Sequence, residues 1–266
     1  MSVSIKSARE VELMRIASRI VANSLVELRA AVEPGITTKE LDRIAERTIK
    51  AQGGDPAFPY VNHFPGSVCV SVNNEVVHGI PGKRRLEAGD LVKLDVGAIY
   101  DGYHGDAAIT VPVGKVSAEA QRLVDVTEES LAVGIAAARA GNHLNEIGAA
   151  IQDFVEPQGF SMVRQYVGHG IGRELHEEPT VPHYRQSSRG IVLRPGMALT
   201  IEPMVNQGGY DTRVLKDGWT VVTSDGTLSA QFEHTIVIGE VDAQILTFPD
   251  HGAAWSIPFQ ASNVVH

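Results

Sequence analysis

LVKLDVGAIYDGYHGDAAITV, Leu91 to Val111, sets two runs rich in β-branched residues around Asp101-Gly102. Asp-Gly between such runs is a strong short-range hairpin signal. With those two residues as the loop, Tyr100 pairs with Tyr103 and Gly97 stands opposite Asp106. Side chains alternate along a strand with a period of two, so Asp95 points to the same face as Asp106. Their Cα atoms are then diagonal neighbours, roughly 7–8 Å apart. Two carboxylates that close repel each other and lose hydration unless something cationic lies between them. The pair reads as a metal site or, more plainly, as two solvated carboxylates on an exposed sheet face.

Upstream of the hairpin, Ser7 to Val32 has helical spacing of Val11, Met14, Val21, Leu25 and Leu28, and Pro34-Gly35 stops it. A second helix starts at Thr37, where Thr37 and Glu40 have capping-box spacing, and runs to Gln52 before Gly53-Gly54. Asp55 to Gly66, rich in Pro and aromatics, is expected to be an ordered loop walling a pocket. Val68 to Val72 is a short strand, Asn73-Asn74 a turn, and Val76 to Pro81 a strand end carrying His78. Lys83-Arg84-Arg85 reads as a solvated basic loop.

Downstream, Ser117 to Ala140 is expected to be a long helix and Leu144 to Val155 a shorter one, with Gly159 beyond its end. A shift of 106 residues superposes Gly35 on Gly141, Glu40 on Glu146, Leu41 on Ile147, Gln52 on Gln158 and Gly53 on Gly159. Helix, Gly, helix, Gly, strand therefore occurs twice, which suggests two similar halves packed into one domain. Further strands are expected near Ser161 to Val167, Met197 to Pro203, Trp219 to Thr223 and Ser229 to Ile238. The tail from Asp250, containing Pro258, lacks periodicity and reads as an irregular terminus.

Composition narrows the function classes. At 266 residues the chain can bury a sizeable core. A net charge of -9 argues against broad nucleic-acid or anionic-membrane binding, so no direct DNA binding is expected. The single cysteine, Cys69, excludes an internal disulfide framework and fits a reducing cytosol; inside the apolar run Val68 to Val72 it reads as a small buried hydrophobe. No signal peptide and no run near the roughly 20 apolar residues of a membrane span are visible, so a cytoplasmic location is expected.

The second half adds three potential ligands. His169 lies in Gly168-His169-Gly170-Ile171-Gly172, where flanking glycines let the backbone approach whatever the ring touches. Alone, it could equally be a hydrogen-bonded core histidine. Glu202 precedes Pro203 at the end of an apolar run, and Glu233 precedes a run of β-formers; either could lie on an exposed edge strand. Together, two Asp, two Glu and one His make an oxygen-rich set suited to hard or borderline divalent ions such as Mn, Fe, Co or Zn. Four carboxylates can neutralise two such ions, and two metals roughly 3.5–4 Å apart serve hydrolysis.

His78-Gly79-Ile80-Pro81, Asp95 with His104-Gly105-Asp106, Gly168 to Gly172, His176-Glu177-Glu178-Pro179, Ile201-Glu202-Pro203-Met204, Asp217-Gly218-Trp219 and Phe232-Glu233-His234-Thr235 together resemble type I methionine aminopeptidase. The order and spacing of these motifs match over nearly the whole chain, to about Thr247. The resemblance implies an α+β pita-bread fold, two pseudo-symmetric halves with antiparallel sheet covered by helices. One catalytic domain is expected over residues 1–266, its halves at about 7–112 and 117–247. By similarity Asp95 chelates one of two divalent metal ions (Co, Mn, Fe or Zn), Asp106 and Glu233 bridge both, and His169 with Glu202 hold the other. The implied activity is hydrolytic removal of the initiator methionine from nascent polypeptides whose second residue is small. Glu202 would shuttle protons, His176 would donate to the developing oxyanion and His78 would contact the scissile amide.

By the same resemblance the methionine pocket is walled by Phe64, Cys69, His78 and Trp219, with Leu175 nearby. Val61 and Leu175 stand where members of the family often have an aromatic, and Val77 where a cysteine often precedes the histidine. A monomer acting near the ribosome is expected, with Lys83-Arg84-Arg85 as the basic cluster to test. The competing readings are a proline-specific aminopeptidase of the same fold, whose usual extra N-terminal domain this chain is too short to hold, and a metal-free binding protein, in which ligands would be lost.

Overall fold

Paired helices followed by short strands occur twice along the chain in the computed structural model, which describes residues 3–61 and 63–250. The first half runs α1 (Ala8–Ala31), α2 (Thr38–Ala51), β1 (Asp55–Pro56), β2 (Cys69–Val72), β3 (Glu75–Val77), β4 (Leu91–Tyr100) and β5 (Tyr103–Pro112). The second begins with α3 (Ala118–Ala137) and α4 (Leu144–Val155), then β6 (Ser161–Met162), β7 (Gly168–Gly170), β8 (Glu177–Val181), β9 (Ala198–Ile201) and β10 (Met204–Asn206). It closes with β11 (Thr212–Val214), β12 (Val221–Thr223), β13 (Ser229–Gln231), β14 (His234–Ile238) and β15 (Ala243–Ile245). The strands pair antiparallel, in keeping with the α+β class. Among the described residues no helix is long and apolar enough to cross a membrane.

The hairpin has the register its sequence predicts. Tyr100 faces Tyr103, Gly97 faces Asp106 and Asp95 faces Ala108. Asp101 and Gly102 take φ of 47° and 76°, the two positive values a type I′ turn requires. Both first-half helices start with capping boxes, Ser7 with Glu10 and Thr37 with Glu40, so orphan N–H groups are satisfied locally. α1 then lays Met14, Val21, Leu25 and Leu28 onto the sheet. The approach is close because Gly105 has no side chain: a Cβ there would stand 2.5 Å from the Ser18 nitrogen.

The internal echo corresponds to a real pseudo-symmetry. The Gly35 N–H donates to Leu86 O and the Gly141 N–H to Leu193 O, both glycines at positive φ. Gly89 reaches Val113 O as Gly196 reaches Ile238 O, so β4 and β5 correspond to β9 and β14. Asp95 and Glu202 then occupy matched places. Where the halves meet, Thr110 Oγ1 donates to Gln231 O (2.7 Å) and accepts from Gln231 N (2.9 Å). Thr235 Oγ1 does the same to Asp106, at 2.7 and 3.0 Å. Between these two reciprocal pairs the Glu233 N–H donates to Ala108 O. One apolar cluster, including Leu25, Val92 and Ile109 with Leu131, Leu199 and Ile236, spans both halves.

Several elements differ from expectation. α3 ends at Ala137 rather than Ala140, because the N–H groups of Ala140 and Gly141 are taken by Val241 O and Leu193 O. The strand expected to Val167 covers only Ser161–Met162, and the one expected over Ser229 to Ile238 breaks at Phe232-Glu233, where Glu233 turns to Ala108. β9 stops at Ile201: the Glu202 N–H goes to His183, and Pro203 has none to give. The Pro-rich loop contains β1 and a 3₁₀ turn at Phe58–Tyr60. Beyond Asp250 the irregular tail lies outside the described residues.

Replacing Gly105 by Ala should cost about 2 kcal/mol or more through the clash with α1. The urea midpoint should fall with the slope of the transition unchanged.

Candidate metal centre

Five side chains from five segments converge at the seam. Asp95 and Asp106 come from the hairpin, His169 from the middle of β7, and Glu202 and Glu233 from the residues after β9 and before β14. Glycines flank His169 because the strand is hemmed in: a Cβ on Gly168 would lie 2.5 Å from Thr200 O, and one on Gly170 2.2 Å from Glu178 O. Glu202 and Glu233 are buried, so neither sits on an exposed edge. Single donor atoms of Asp106, His169 and Glu233 lie within 4.8 Å of one another. His169 Nε2 is 3.9 Å from Asp106 and 3.6 Å from Glu202. Asp95 completes the group through its contact with the Asp106 carboxyl.

Four buried carboxyl groups this close destabilise one another's charged forms. Burial pushes Asp95 up to about 7 and, together with the charge of Asp95, Glu202 up to about 8. Asp106 and Glu233 are raised well above the carboxylate range by burial and then by the neighbouring acids. Asp95 Oδ1, Asp106 Oδ1 and Glu233 Oε1 are buried without a hydrogen-bond partner. Native proteins satisfy such atoms, so three orphaned acidic oxygens on these neighbouring side chains fit a multivalent cation.

The surrounding bonds orient the donors. His169 Nδ1 is bonded to Gly170 O at 2.9 Å, which puts its proton there and leaves the Nε2 lone pair toward the acids. Burial lowers the His169 pKa to about 3, so the ring is neutral. Thr200 Oγ1 accepts from His169 N and donates to Glu202 Oε1 at 2.9 Å, linking two candidate ligands. His183, also held neutral by burial, accepts the Glu202 N–H. Thr200, His183 and Thr235 were not singled out by sequence reasoning. The alternation that placed Asp95 and Asp106 also puts Thr200 on the face of Glu202, a usable signal; His183 lies in a loop and had none.

A cavity of about 160 Å³ opens beside the acids. Phe64, Cys69, His78, Leu175, His176 and Trp219, all named from the sequence, line it. So do Val61 and Val77, and Phe58, Tyr166 and Met204, which had not been assigned to it. Trp219 meets Phe64 edge-on at 5.2 Å, and the His78 ring stands edge-on to Tyr166 at 5.6 Å. The His176 ring lies 4.3 Å from that of His169. Burial lowers His78 to about 4 and also lowers His176, so both are neutral donors at physiological pH. Cys69 pairs with Asp95 across the sheet, and burial next to that acid holds it as a thiol rather than a nucleophilic thiolate. Arg84 and Arg85 are not among the residues that line the cavity; Arg84 ion-pairs with Glu75 and Arg85 donates to Gly35 O.

Comparison with known proteins bears on this arrangement. The model of metallopeptidase family M24 matches residues 12–240. The chain is 54% identical over 242 residues to methionine aminopeptidase 1 of Bacillus subtilis, covering 91% of this chain and 98% of that protein. Against the methionine aminopeptidase of Escherichia coli K12 it is 48% identical over 249 residues, 93% of this chain and 94% of the other. The crystal structure of methionine aminopeptidase from Thermotoga maritima superposes with a TM-score of 0.91 at 44% identity, covering 93% of this chain and all of that one. The prolidase from Pyrococcus furiosus, at 24% identity and a TM-score of 0.76 over 66% of its length, shares the fold alone.

The raised acids give stability a definite pH dependence without metal. Unfolded, Asp and Glu ionise near 3.8 and 4.5, whereas folded Asp95 and Glu202 keep their protons to about 7 and 8. The folded state therefore binds more protons in that window, and stability falls as pH rises through it. In chelator, the thermal midpoint should drop between about pH 5 and pH 8, and added Mn²⁺ should raise it most at the higher pH.

Proposed function

The chain belongs to metallopeptidase family M24, and from that membership we propose that it removes the N-terminal methionine from polypeptides by hydrolysing the peptide bond that follows it. The observation that carries this reading is the junction of two features: buried, orphaned carboxylate oxygens beside a cavity of about 160 Å³ walled in part by Phe58, Phe64, Leu175 and Trp219. Relatives of about half-identical sequence named methionine aminopeptidase support it over nearly the full chain. The family uses divalent metal. We infer two ions, held by Asp95, Asp106, His169, Glu202 and Glu233, since four carboxylates balance two divalent charges. Bound there, divalent ions supply Lewis-acid polarisation of the scissile carbonyl and acidify a water for attack.

The chain's own groups do the rest. Phe64, Trp219 and Leu175 offer apolar walls to the methionine stem, and aromatic edges suit its sulfur. His176, neutral and next to His169, donates to the carbonyl oxygen as negative charge develops on it. Glu202, whose Oε1 is fixed by the Thr200 hydroxyl, takes the proton of the attacking water and returns it to the departing amine. His78 sits across the same cavity and contacts the scissile amide. A small second residue is the expected preference, as the sequence resemblance implies. The peptides acted on are nascent chains, and the exposed Lys83, beside Arg84 and Arg85, is the candidate contact with the ribosome.

The test is release of methionine from Met-Ala-Ser, lost on chelation and restored by Mn²⁺ or Co²⁺. Cleavage of Xaa-Pro peptides instead would favour the proline-specific reading. Replacing His176 by Ala should lower kcat about 10²-fold or more while bound metal, measured on the purified protein, stays at the wild-type level. Charge reversal at Lys83 and Arg84 should reduce co-sedimentation with ribosomes; unchanged co-sedimentation removes that contact.

A further inference from the structure

Lys93 has no part in the chemistry above, yet it heads the fully buried side chains of the described residues by size. Its Nζ donates to two backbone carbonyls, Asn73 O at 2.7 Å and Ser229 O at 2.8 Å, one in each half. A buried ammonium is costly to desolvate, so its position is set by these bonds and not by apolar packing. The Asn73 acceptor is itself rigid. Its backbone has φ 58°, its side chain bonds Asp90 and the Leu91 N–H, and its carbonyl also accepts the Ser229 N–H.

Lys93 lies on the face of β4 that carries Asp95 and pairs with Thr110 across the hairpin. It therefore extends the row of contacts between the halves. Lys93 holds Ser229, Thr110 holds Gln231, Ala108 holds Glu233, and Asp106 is held by Thr235. Alternate residues from 229 to 235 are thus fixed from the hairpin, and Lys93 pins the upstream end of the segment that delivers Glu233. The matched position in the second half is Thr200, two residues before Glu202, whose hydroxyl orients His169 and Glu202. Both halves place a bonding side chain at the same distance before an acid of the site.

We propose that Lys93 is a positioning residue of the metal centre: its buried amino group clamps Ser229 to the first half and so sets where Glu233 stands relative to Asp106 and Asp95. This rests on the reading that those acids hold divalent ions. A methionine at 93 would fill similar volume but withdraw the donor from both carbonyls.

The full-length Lys93→Met and Lys93→Gln variants test it, at a temperature where their circular dichroism matches the wild type. Lys93→Met should bind Mn²⁺ about tenfold more weakly by calorimetry, as loss of outer-shell support does elsewhere. In the metal-free protein, hydrogen exchange of the Gln231 and Glu233 amides should quicken by about tenfold. On Met-Ala-Ser, kcat should fall with KM within about twofold of wild type. Lys93→Gln, which keeps a donor, should recover part of each loss. A folded Lys93→Met with wild-type Mn²⁺ affinity and exchange overturns the proposal alone, whereas absence of Mn²⁺ binding by the wild type overturns the metal-centre reading beneath it. Failure of both variants to fold overturns it too, making Lys93 a folding residue.

Discussion

Burial of Asp95, Asp106, Glu202 and Glu233 side by side is the constraint to which the rest of the structure answers. Burial raises the pKa of Asp106 and Glu233, the neighbouring acids raise it further, and three oxygens are left unpaired. A chain that packs its acids this way stores unfavourable free energy in the metal-free state and recovers it when divalent charge enters. Such an arrangement survives only on a stiff frame. Flexible segments would let the carboxylates swing to solvent and relieve the strain that makes the site bind.

The stiffness comes from the seam between halves. Thr110 with Gln231 and Thr235 with Asp106 make reciprocal pairs in which one hydroxyl serves both the N–H and the C=O of a single residue. A sheet ladder would satisfy those groups equally well, but only between strands that lie side by side. Here β5 faces the segment from β13 to β14, and short hydroxyl side chains bond backbone groups on either side of one direct backbone bond, Glu233 N–H to Ala108 O. The break in the strand at Phe232-Glu233 follows from this arrangement: the Glu233 N–H leaves its sheet to bond Ala108 O, which directs its carboxylate toward the acids of the hairpin.

What was legible from sequence divides along physical lines. Local rules fixed local features: Asp101-Gly102 determined the hairpin register, and with it the diagonal placement of Asp95 and Asp106. Capping-box spacing located the starts of α1 and α2. The glycine echo anticipated the pseudo-symmetry, because Gly35 and Gly141 each occupy a conformation and make a bond that the other repeats. The short strands of the second half were harder. β7 is three residues of Gly-His-Gly with no apolar alternation, and it exists because its backbone fits between β8 and β9. The end of α3 was likewise set by capture of Ala140 and Gly141 from distant segments. The five candidate ligands stood out in their own local contexts, and the whole-chain resemblance gave each its metal role; Thr200, two residues before Glu202, is within reach of strand alternation, whereas His183 and Thr235 orient the site through pairings no window of sequence contains.

The histidines show how one physical variable assigns different roles. His169, His176 and His78 are all kept neutral by burial, which removes the option of balancing the acids with imidazolium charge. Neutral rings suit the roles proposed for them: a lone pair for a cation at His169, and N–H donors for a substrate at His176 and His78. Were any of the three cationic at neutral pH, it would pair with the nearest carboxylate and compete with metal for it. Burial thus does two things at once, raising the acids so that they hold protons until a multivalent cation replaces them, and lowering the histidines until none of them can supply that charge.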